Sequence, residues 1–259
     1  MLRWVRALGA WVNASADTAG YGVLLCLEAT AYVRLLFRRT SWRAFLNQLG
    51  ITCVEAVPVT MVVSVFVGMI VALNGGLSLS QFGQNALIGR VVTVGMIREM
   101  GPFMTGLILA ASIGSAMAAE LGTMSVSEEI DALHVMGVDP AKFLVMPRLL
   151  AMALVCPVMT VYASLMGIAG GAVLANTQLG VSYALFRNDA LEALTGKDLY
   201  TGLFKALVFG IIIAVVGCTQ GLRARGGAIG VGYATRRAVV VSYVLIIIFG
   251  YYITWFFYR

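Results

Sequence analysis

Two adjacent ionisable residues, Arg98 and Glu99, lie inside a long apolar run and are the first candidates for chemistry in this sequence. A charged side chain inside a bilayer costs at least a few kcal/mol, so such residues usually have a function. Neighbours on a helix point about 100° apart, so each of these side chains needs another partner. Either the pair braces neighbouring helices, through backbone carbonyls or Glu55, or it borders a cavity. An arginine in such a cavity can bind a phosphate bidentately while apolar walls accept chains.

An acidic segment follows this apolar run and has the signals of a short helix. Ser125 and Glu128 have the S-x-x-E spacing of a capping box, and Gly137 is suited to end the helix. The pattern predicts a helix over about 126–136. Asp139–Pro140 is typical of the start of another helix, with aspartate as N-cap and proline at the first helical position.

The acidic helix carries negative charge where a partner could bind it. Glu128, Glu129 and Asp131 lie near its N-terminus, where the helix dipole favours negative charge. We interpret the helix as a docking element, with a solvated turn as the alternative. His134 is interpreted as a contact or surface residue and not as a metal ligand.

Composition indicates an integral membrane protein. The 259-residue chain is 60% hydrophobic and 12% charged, whereas soluble domains carry about 25% charged residues. The net charge of +6 comes from cations that cluster beside apolar runs, as the positive-inside rule and anionic lipids favour, so we expect no nucleic-acid partner.

Five segments are long enough to cross a bilayer, which needs about 20 apolar residues per helix. The predicted spans are 52–74, 88–117, 144–175, 201–222 and 238–257. Two of the regions outside them are rich in arginine and are therefore predicted to be cytoplasmic. Their arginines are Arg34, Arg38, Arg39 and Arg43 before the first span, and Arg223, Arg225, Arg236 and Arg237 between the fourth and fifth. The N-terminus is then cytoplasmic and the C-terminus outside, as is the loop from about 176 to 200.

The first 47 residues are predicted to lie on the membrane surface as an interfacial amphipathic elbow. Arg3 and Arg6 precede an apolar stretch that Asn13 interrupts too soon for a signal peptide. The expected organisation is one all-α domain over 1–259, with the elbow at 1–47 and a five-span bundle at 52–257.

Small residues predict close helix packing. Ser112 with Ala116, Gly114 with Ala118, and Gly167 with Gly171 have the small-xxx-small spacing that lets helices approach in lipid. Gly101 and Pro102 are predicted to interrupt the hydrogen bonds of the second span. Cys26, Cys53, Cys156 and Cys218 have no CxxC spacing and are interpreted as small core residues, so no metal site is predicted.

Three common catalytic motifs are missing from this sequence. It contains no GxxxxGK[ST] loop, no HExxH and no GxSxG, so we expect no catalytic residue and no cofactor in this chain. The sequence GGAIGVG at 226–232 follows a spanning helix and not a strand, so it is interpreted as a turn.

The segment 95–151, GMIREMGPFMTGLILAASIGSAMAAELGTMSVSEEIDALHVMGVDPAKFLVMPRLLA, resembles the signature of the MlaE/YrbE permease family, the membrane subunits of MCE-type ABC lipid transporters. The similarity extends to FVGMIVALNGG in the first span and ATRRAVVVSY before the fifth. It implies a homodimer of five-span subunits in the inner membrane and a periplasmic MCE-domain partner. It also implies a coupling helix at about 126–136 that docks on a separate ATPase, which binds ATP and Mg.

The resemblance also implies a function and two sets of site residues. The function is phospholipid transport between the inner membrane and the MCE protein, which maintains outer-membrane lipid asymmetry. The implied coupling residues are Glu128, Glu129, Asp131 and His134. The implied lipid-binding residues are Arg98, Glu99, Met100, Val71, Leu79 and Phe82.

Two positions depart from the family pattern, and other functions stay open. Ser112 stands where the family commonly has the arginine of GRxGS, and Glu128–Glu129 replaces the usual EQ of the coupling helix. The alternatives are an ATP-independent lipid scramblase, a structural membrane scaffold and a membrane enzyme. A membrane enzyme is disfavoured because no nucleophile with a base, and no cluster of carboxylates, is evident at membrane depth.

Overall fold

A computed structural model describes residues 17–18, 20–28 and 39–259 of the chain, without the side chains of 39–48, 51, 52 and 55. Five of its helices are long and apolar enough to cross a membrane, which confirms the all-α prediction of five spans. These first to fifth spans are Ala56–Ser80, Asn85–Val126, Ala141–Leu179, Gly196–Leu222 and Gly227–Tyr258. Most of the predicted elbow, including residues 1–16, Arg34 and Arg38, lies outside the described residues.

The spanning helices are longer than the apolar segments from which they were predicted. A first helix covers 20–28, and the first span belongs to the longer helix Arg39–Ser80. The second span contains the helices Ile88–Gly95, Gly101–Leu109 and Ser115–Val126. The acidic helix is Glu129–Val135, and the remaining helices are Met146–Leu179, Tyr183–Ala193, Gly196–Leu222 and Gly227–Tyr258.

The second span is a continuous helix with two wider turns. π-helical turns at Met96–Met100 and Ala110–Gly114 join its three α-helical pieces. The first of these turns lies immediately before Gly101–Pro102, and the N–H of Gly101 donates to the carbonyl of Met96. The predicted interruption at Gly101–Pro102 is therefore confirmed, and it takes the form of a π-turn, a feature often found at functional sites.

The loop predicted at about 176–200 is largely helical, so that prediction was wrong. Gly180, at φ +67°, ends the third span, and the Ser182 hydroxyl then accepts from the N–H of Leu185 to cap the helix Tyr183–Ala193. Thr195 caps the fourth span in the same way through the N–H of Asp198. Two polar caps in succession start new helices where the low hydropathy indicated a loop.

Polar contacts assign the connections to the two ends of the bundle. The Ser125 hydroxyl donates to the carbonyls of Leu222 and Ala224, at 3.2 and 3.3 Å, so the acidic helix and the arginine-rich connection share one end. At the other end, the N–H of Arg90 donates to the buried Asp189 carboxylate at 2.6 Å.

The start of the acidic helix differs from the predicted capping box. The second span continues to Val126, so Ser125 is still helical and its hydroxyl is bonded to the other connection. Glu128 occupies the N-cap position with φ +60° and makes no side-chain capping bond. The helix is therefore shorter than 126–136.

The predicted end of the acidic helix and the start of the next one are confirmed. Gly137 has φ +71°, and the N–H of Val138 donates back to the carbonyl of Leu133. The Asp139 carboxylate accepts from the N–H of Ala141 at 2.9 Å.

The first and third spans touch through their backbones at glycines. A Cβ added to Gly68 would lie 1.8 Å from the carbonyl oxygen of Gly167, and one added to Gly170 would lie 2.4 Å from that of Val65. The predicted close packing at Gly167 is confirmed, and its partner is the first span.

The other predicted packing positions have mixed outcomes. Gly114 and Ala118 are buried, and a Cβ on Gly114 would lie 2.9 Å from Ile213 of the fourth span. Ser112 and Ala116 are exposed, so their predicted packing does not occur within the described subunit.

The four cysteines are all free thiols. Cys156 and Cys218 are buried in the core, as predicted, while Cys26 and Cys53 are only partly buried.

We expect Gly68→Ala to destabilise the bundle strongly, because the new methyl group meets the backbone of the third span, which cannot rotate away. Thermal unfolding of the purified protein should show a clearly lowered midpoint. Gly232→Ala is the matched control, since a Cβ there meets nothing within 4 Å. Equal midpoints for both variants would contradict this packing.

Candidate functional site

Arg98 is held by a buried carboxylate of the fourth span. Its Nη2 lies 2.6 Å and its Nε 2.8 Å from Oδ1 of Asp198. Asp198 also accepts from the hydroxyls of Thr195, at 2.6 Å, and Tyr258. The guanidinium carbon of Arg98 lies 4.0 Å from the centroid of the Tyr258 ring, a cation–π distance. This cluster joins the second span to the start of the fourth and the end of the fifth.

Glu99 is paired with a lysine that is almost completely buried. Its Oε1 accepts from Nζ of Lys205 at 2.7 Å and from the Thr254 hydroxyl at 2.9 Å. The Lys205 Nζ also donates to the carbonyl of Arg98 at 3.0 Å. Lys205 lies about 14 Å along the helix from the start of the fourth span at Gly196, inside its apolar part.

The two ion pairs are exposed on one side only. The side chains of Arg98 and Glu99 are 32% and 40% exposed, whereas those of Asp198 and Lys205 are 6% and 1% exposed. The buried members anchor the cluster in the bundle, and the exposed members present one cation and one anion at its surface. Hydrocarbon cannot solvate such groups, which in membrane proteins almost always face the bundle interior or a water-filled cavity.

Arg98 and Glu99 brace neighbouring helices through Asp198 and Lys205, which the sequence pattern did not indicate as partners. Both side chains also stay partly exposed, so this brace is compatible with a bordering cavity. Asp198 had been assigned to a loop, although Thr195 three residues earlier is a helix cap. Lys205 could have been found, because it is a single cation in a predicted span. Glu55, the partner considered from the sequence, has a side chain outside the described residues.

The apolar residues implied as lipid-binding lie on two different parts of the structure. Val71, Leu79 and Met100 pack against one core cluster, which includes Met96 of the π-turn. Phe82 lies on the turn after the first span and is 78% exposed, apart from that cluster. The apolar group therefore adjoins the turn that carries Arg98 and Glu99.

The implied coupling residues lie at the opposite end of the bundle. Glu128, Glu129, Asp131 and His134 are all exposed. All but Glu129 line a polar cavity of about 570 Å³ between the acidic helix, the helix 20–28 and the connection at 223–226. Within the described ranges, no three His, Cys, Asp or Glu side chains are grouped as metal ligands.

A further ion pair joins the two spans that precede and follow the acidic helix. Nη2 of the buried Arg148 lies 2.7 Å from the Glu120 carboxylate, and its Nη1 donates to the carbonyl of Leu144. Glu120 belongs to the second span and Arg148 to the third. The pair therefore holds the second and third spans together next to the acidic helix that connects them.

Ser112, where the resemblance implied an arginine, makes only a local contact. Its hydroxyl donates to the carbonyl of Ile108 at 2.8 Å. It lines a recess of about 340 Å³ together with Tyr243 of the fifth span.

Comparisons with known proteins identify the family to which this chain is similar. The family described as Permease MlaE matches residues 45–256. A probable ABC transporter permease protein of Synechocystis sp. is 35% identical over 88% of this chain and 87% of its own length. One from Rickettsia prowazekii is 36% identical over 90% of this chain and 86% of its own length. Protein TRIGALACTOSYLDIACYLGLYCEROL 1, chloroplastic, of Arabidopsis thaliana is 37% identical over 88% of this chain and 65% of its own length.

The unequal burial of the Glu99–Lys205 pair predicts unequal costs of removing its members. Glu99→Ala should cost about 3–5 kcal/mol in unfolding free energy, because it leaves the buried Lys205 ammonium without its counter-ion. Lys205→Met should cost less, since Glu99 is partly exposed and keeps Thr254. The measurement is denaturant unfolding in detergent.

The double variant Glu99→Ala/Lys205→Met is the control, and it should recover most of the stability lost in Glu99→Ala. Failure of this recovery, or a larger cost for Lys205→Met alone, would show that the pair is not the anchor described above.

Proposed function

This chain belongs to the MlaE permease family of ABC transporters, and we propose that its cargo is phospholipid. In this proposal two copies form a homodimer in the inner membrane. They move phospholipid between that membrane and a periplasmic MCE-domain protein, and so maintain outer-membrane lipid asymmetry. The name of the Arabidopsis relative, which is that of a galactolipid, supports a lipid cargo.

The observation that carries the proposal is the partial exposure of Arg98 and Glu99 within the apolar part of the second span. In a single subunit these charges would contact hydrocarbon, which is costly. Two subunits facing each other would enclose the charges in a shared cavity. A cavity with charged and apolar walls suits a molecule with a charged head and hydrocarbon chains.

The donors of Arg98 support binding of a phosphate. A guanidinium has five N–H donors, and Asp198 engages only Nε and Nη2 of Arg98. The remaining donors can serve a lipid phosphate, while Val71, Leu79 and Met100 contact its chains. Asp198 and Tyr258 would keep the guanidinium in place, so that little side-chain entropy is lost on binding.

We also propose that the acidic helix docks on the ATPase subunit. Glu128, Glu129, Asp131 and His134 are exposed and suited to a basic groove. The ATPase would bind ATP and Mg, and its movement would reach the second and third spans through the Glu120–Arg148 pair. The acidic helix shares its end of the bundle with the arginine-rich connection, which supports a cytoplasmic position for both and a periplasmic C-terminus.

The lipid site can be tested by photocrosslinking. A photoreactive amino acid at Val71, Leu79 or Met100 should capture phospholipid several-fold more efficiently than one at Tyr252, which is 61% exposed on the fifth span. Mass spectrometry of the crosslinked protein measures the captured lipid. Equal capture at all four positions would mean that only bulk lipid is present, and the cargo proposal would fail.

The coupling site can be tested by charge reversal. Replacing Glu128, Glu129 and Asp131 by lysine should abolish copurification of the ATPase, because repulsion is added to the lost attraction. The bundle should stay folded, since these side chains are exposed. Glu192→Lys, an exposed reversal at the other end, is the control and should keep the ATPase bound. Retention of the ATPase by the triple variant would contradict the docking assignment.

A further inference from the structure

A largely apolar groove, separate from the polar cavity beside the acidic helix, lies on the outside of the bundle and away from the Arg98–Glu99 cluster. It has a volume of about 530 Å³ and runs between the helix 20–28, the fourth span and the fifth span. We refer to it as the lateral groove.

The residues that line the lateral groove change from polar to apolar along the fifth span, from Arg237 towards Phe249. On the fifth span its lining residues follow each other at four-residue intervals, from Arg237 through Val241 and Leu245 to Phe249. On the fourth span, Gln220 lies at the end near Arg237 and Ile212 lies farther in. The groove therefore has one cationic end and an apolar body.

The dimensions of the lateral groove fit one leaflet of a bilayer. The twelve residue-to-residue steps from Arg237 to Phe249 rise about 18 Å along the helix, and half of a hydrocarbon core is about 15 Å thick. Arg237 is the last arginine of the predicted cytoplasmic region and directly precedes the apolar stretch 238–257, so it lies where lipid headgroups are expected. No Asp or Glu is among the described residues that line the groove.

From this polarity and length, we propose that the lateral groove holds one anionic phospholipid of the surrounding bilayer. Its phosphate contacts Arg237 and its acyl chain lies along Val241, Leu245 and Phe249. This lipid is distinct from the proposed cargo, because the groove opens to the outside of the bundle and shares no lining residue with the Arg98–Glu99 cluster.

The bound lipid would also position the helix 20–28. This helix presents Gly22 and Cys26 to the lateral groove, and Tyr21 and Glu28 to the polar cavity beside the acidic helix. One short helix thus separates the two spaces. A lipid in the groove supports it from the membrane side.

The experiment uses the full-length protein in phosphatidylcholine nanodiscs that contain a minor fraction of phosphatidylglycerol with a diazirine in its acyl chain. Crosslinked residues are mapped by mass spectrometry. In the unmodified protein, crosslinks should concentrate at Val215 and Leu245. A diazirine phosphatidylcholine should give about fivefold less, the ratio expected from one arginine beside an anionic lipid.

Two pairs of variants separate the lateral groove from general lipid contact. Arg237→Gln should lower the phosphatidylglycerol crosslinks about fivefold, while Arg236→Gln, at an exposed neighbour outside the groove lining, should leave them unchanged. Ile211→Trp fills the groove and should remove most crosslinks, whereas Leu207→Trp, one turn away on the same span and outside the lining, should not.

Equal crosslinking of the two lipids, or equal effects within either pair of variants, would overturn the proposal. Absence of crosslinks in the groove would also overturn it and would leave the groove to a protein segment. Lipid capture at Met100 is measured separately, so failure of the cargo proposal would leave the lateral groove result intact.

Discussion

The buried ammonium of Lys205 is the constraint on which the rest of the candidate site depends. A charge inside an apolar span is tolerated only with a partner, and Glu99 provides it at 2.7 Å. Because Glu99 lies on the π-turn of the second span, this pairing fixes the second span against the fourth, and Thr254 adds the fifth. Arg98, the preceding residue, is thereby directed to Asp198. The partly exposed Arg98 and Glu99 are thus held at the bundle surface because they are the counter-ions of the buried Asp198 and Lys205.

The second span connects the two ends of the molecule. It carries the ion pairs on the π-turn Met96–Met100 near one end and leads into the acidic helix at the other, with the second π-turn, Ala110–Gly114, between them. Extra residues in these turns widen the helix and redirect the side chains that follow. A displacement of the acidic helix would therefore reach the Arg98–Glu99 cluster through one continuous helix, which is clamped to the third span by Arg148.

The sequence predicted the spans well, because their apolar length is a property of each segment alone. It also identified Arg98 and Glu99, since charges stand out in such a span. It could not predict that Lys205 and Asp198 are their partners, because about 100 residues separate the members of each pair and only the packing brings them together. The capping box at Ser125 was wrong for a related reason, since a tertiary contact with Leu222 took the hydroxyl that a local motif assigned to the helix end.

The central claim is that the exposed side of the Arg98–Glu99 pair faces an enclosed cavity that holds lipid. A cryo-electron microscopy structure of the full transporter in a lipid nanodisc measures this directly. The account predicts that Glu99 of both subunits faces one shared cavity, with phospholipid density that contacts Arg98. A structure in which Glu99 is sealed against protein, or lies on the outer perimeter of the dimer, would contradict it.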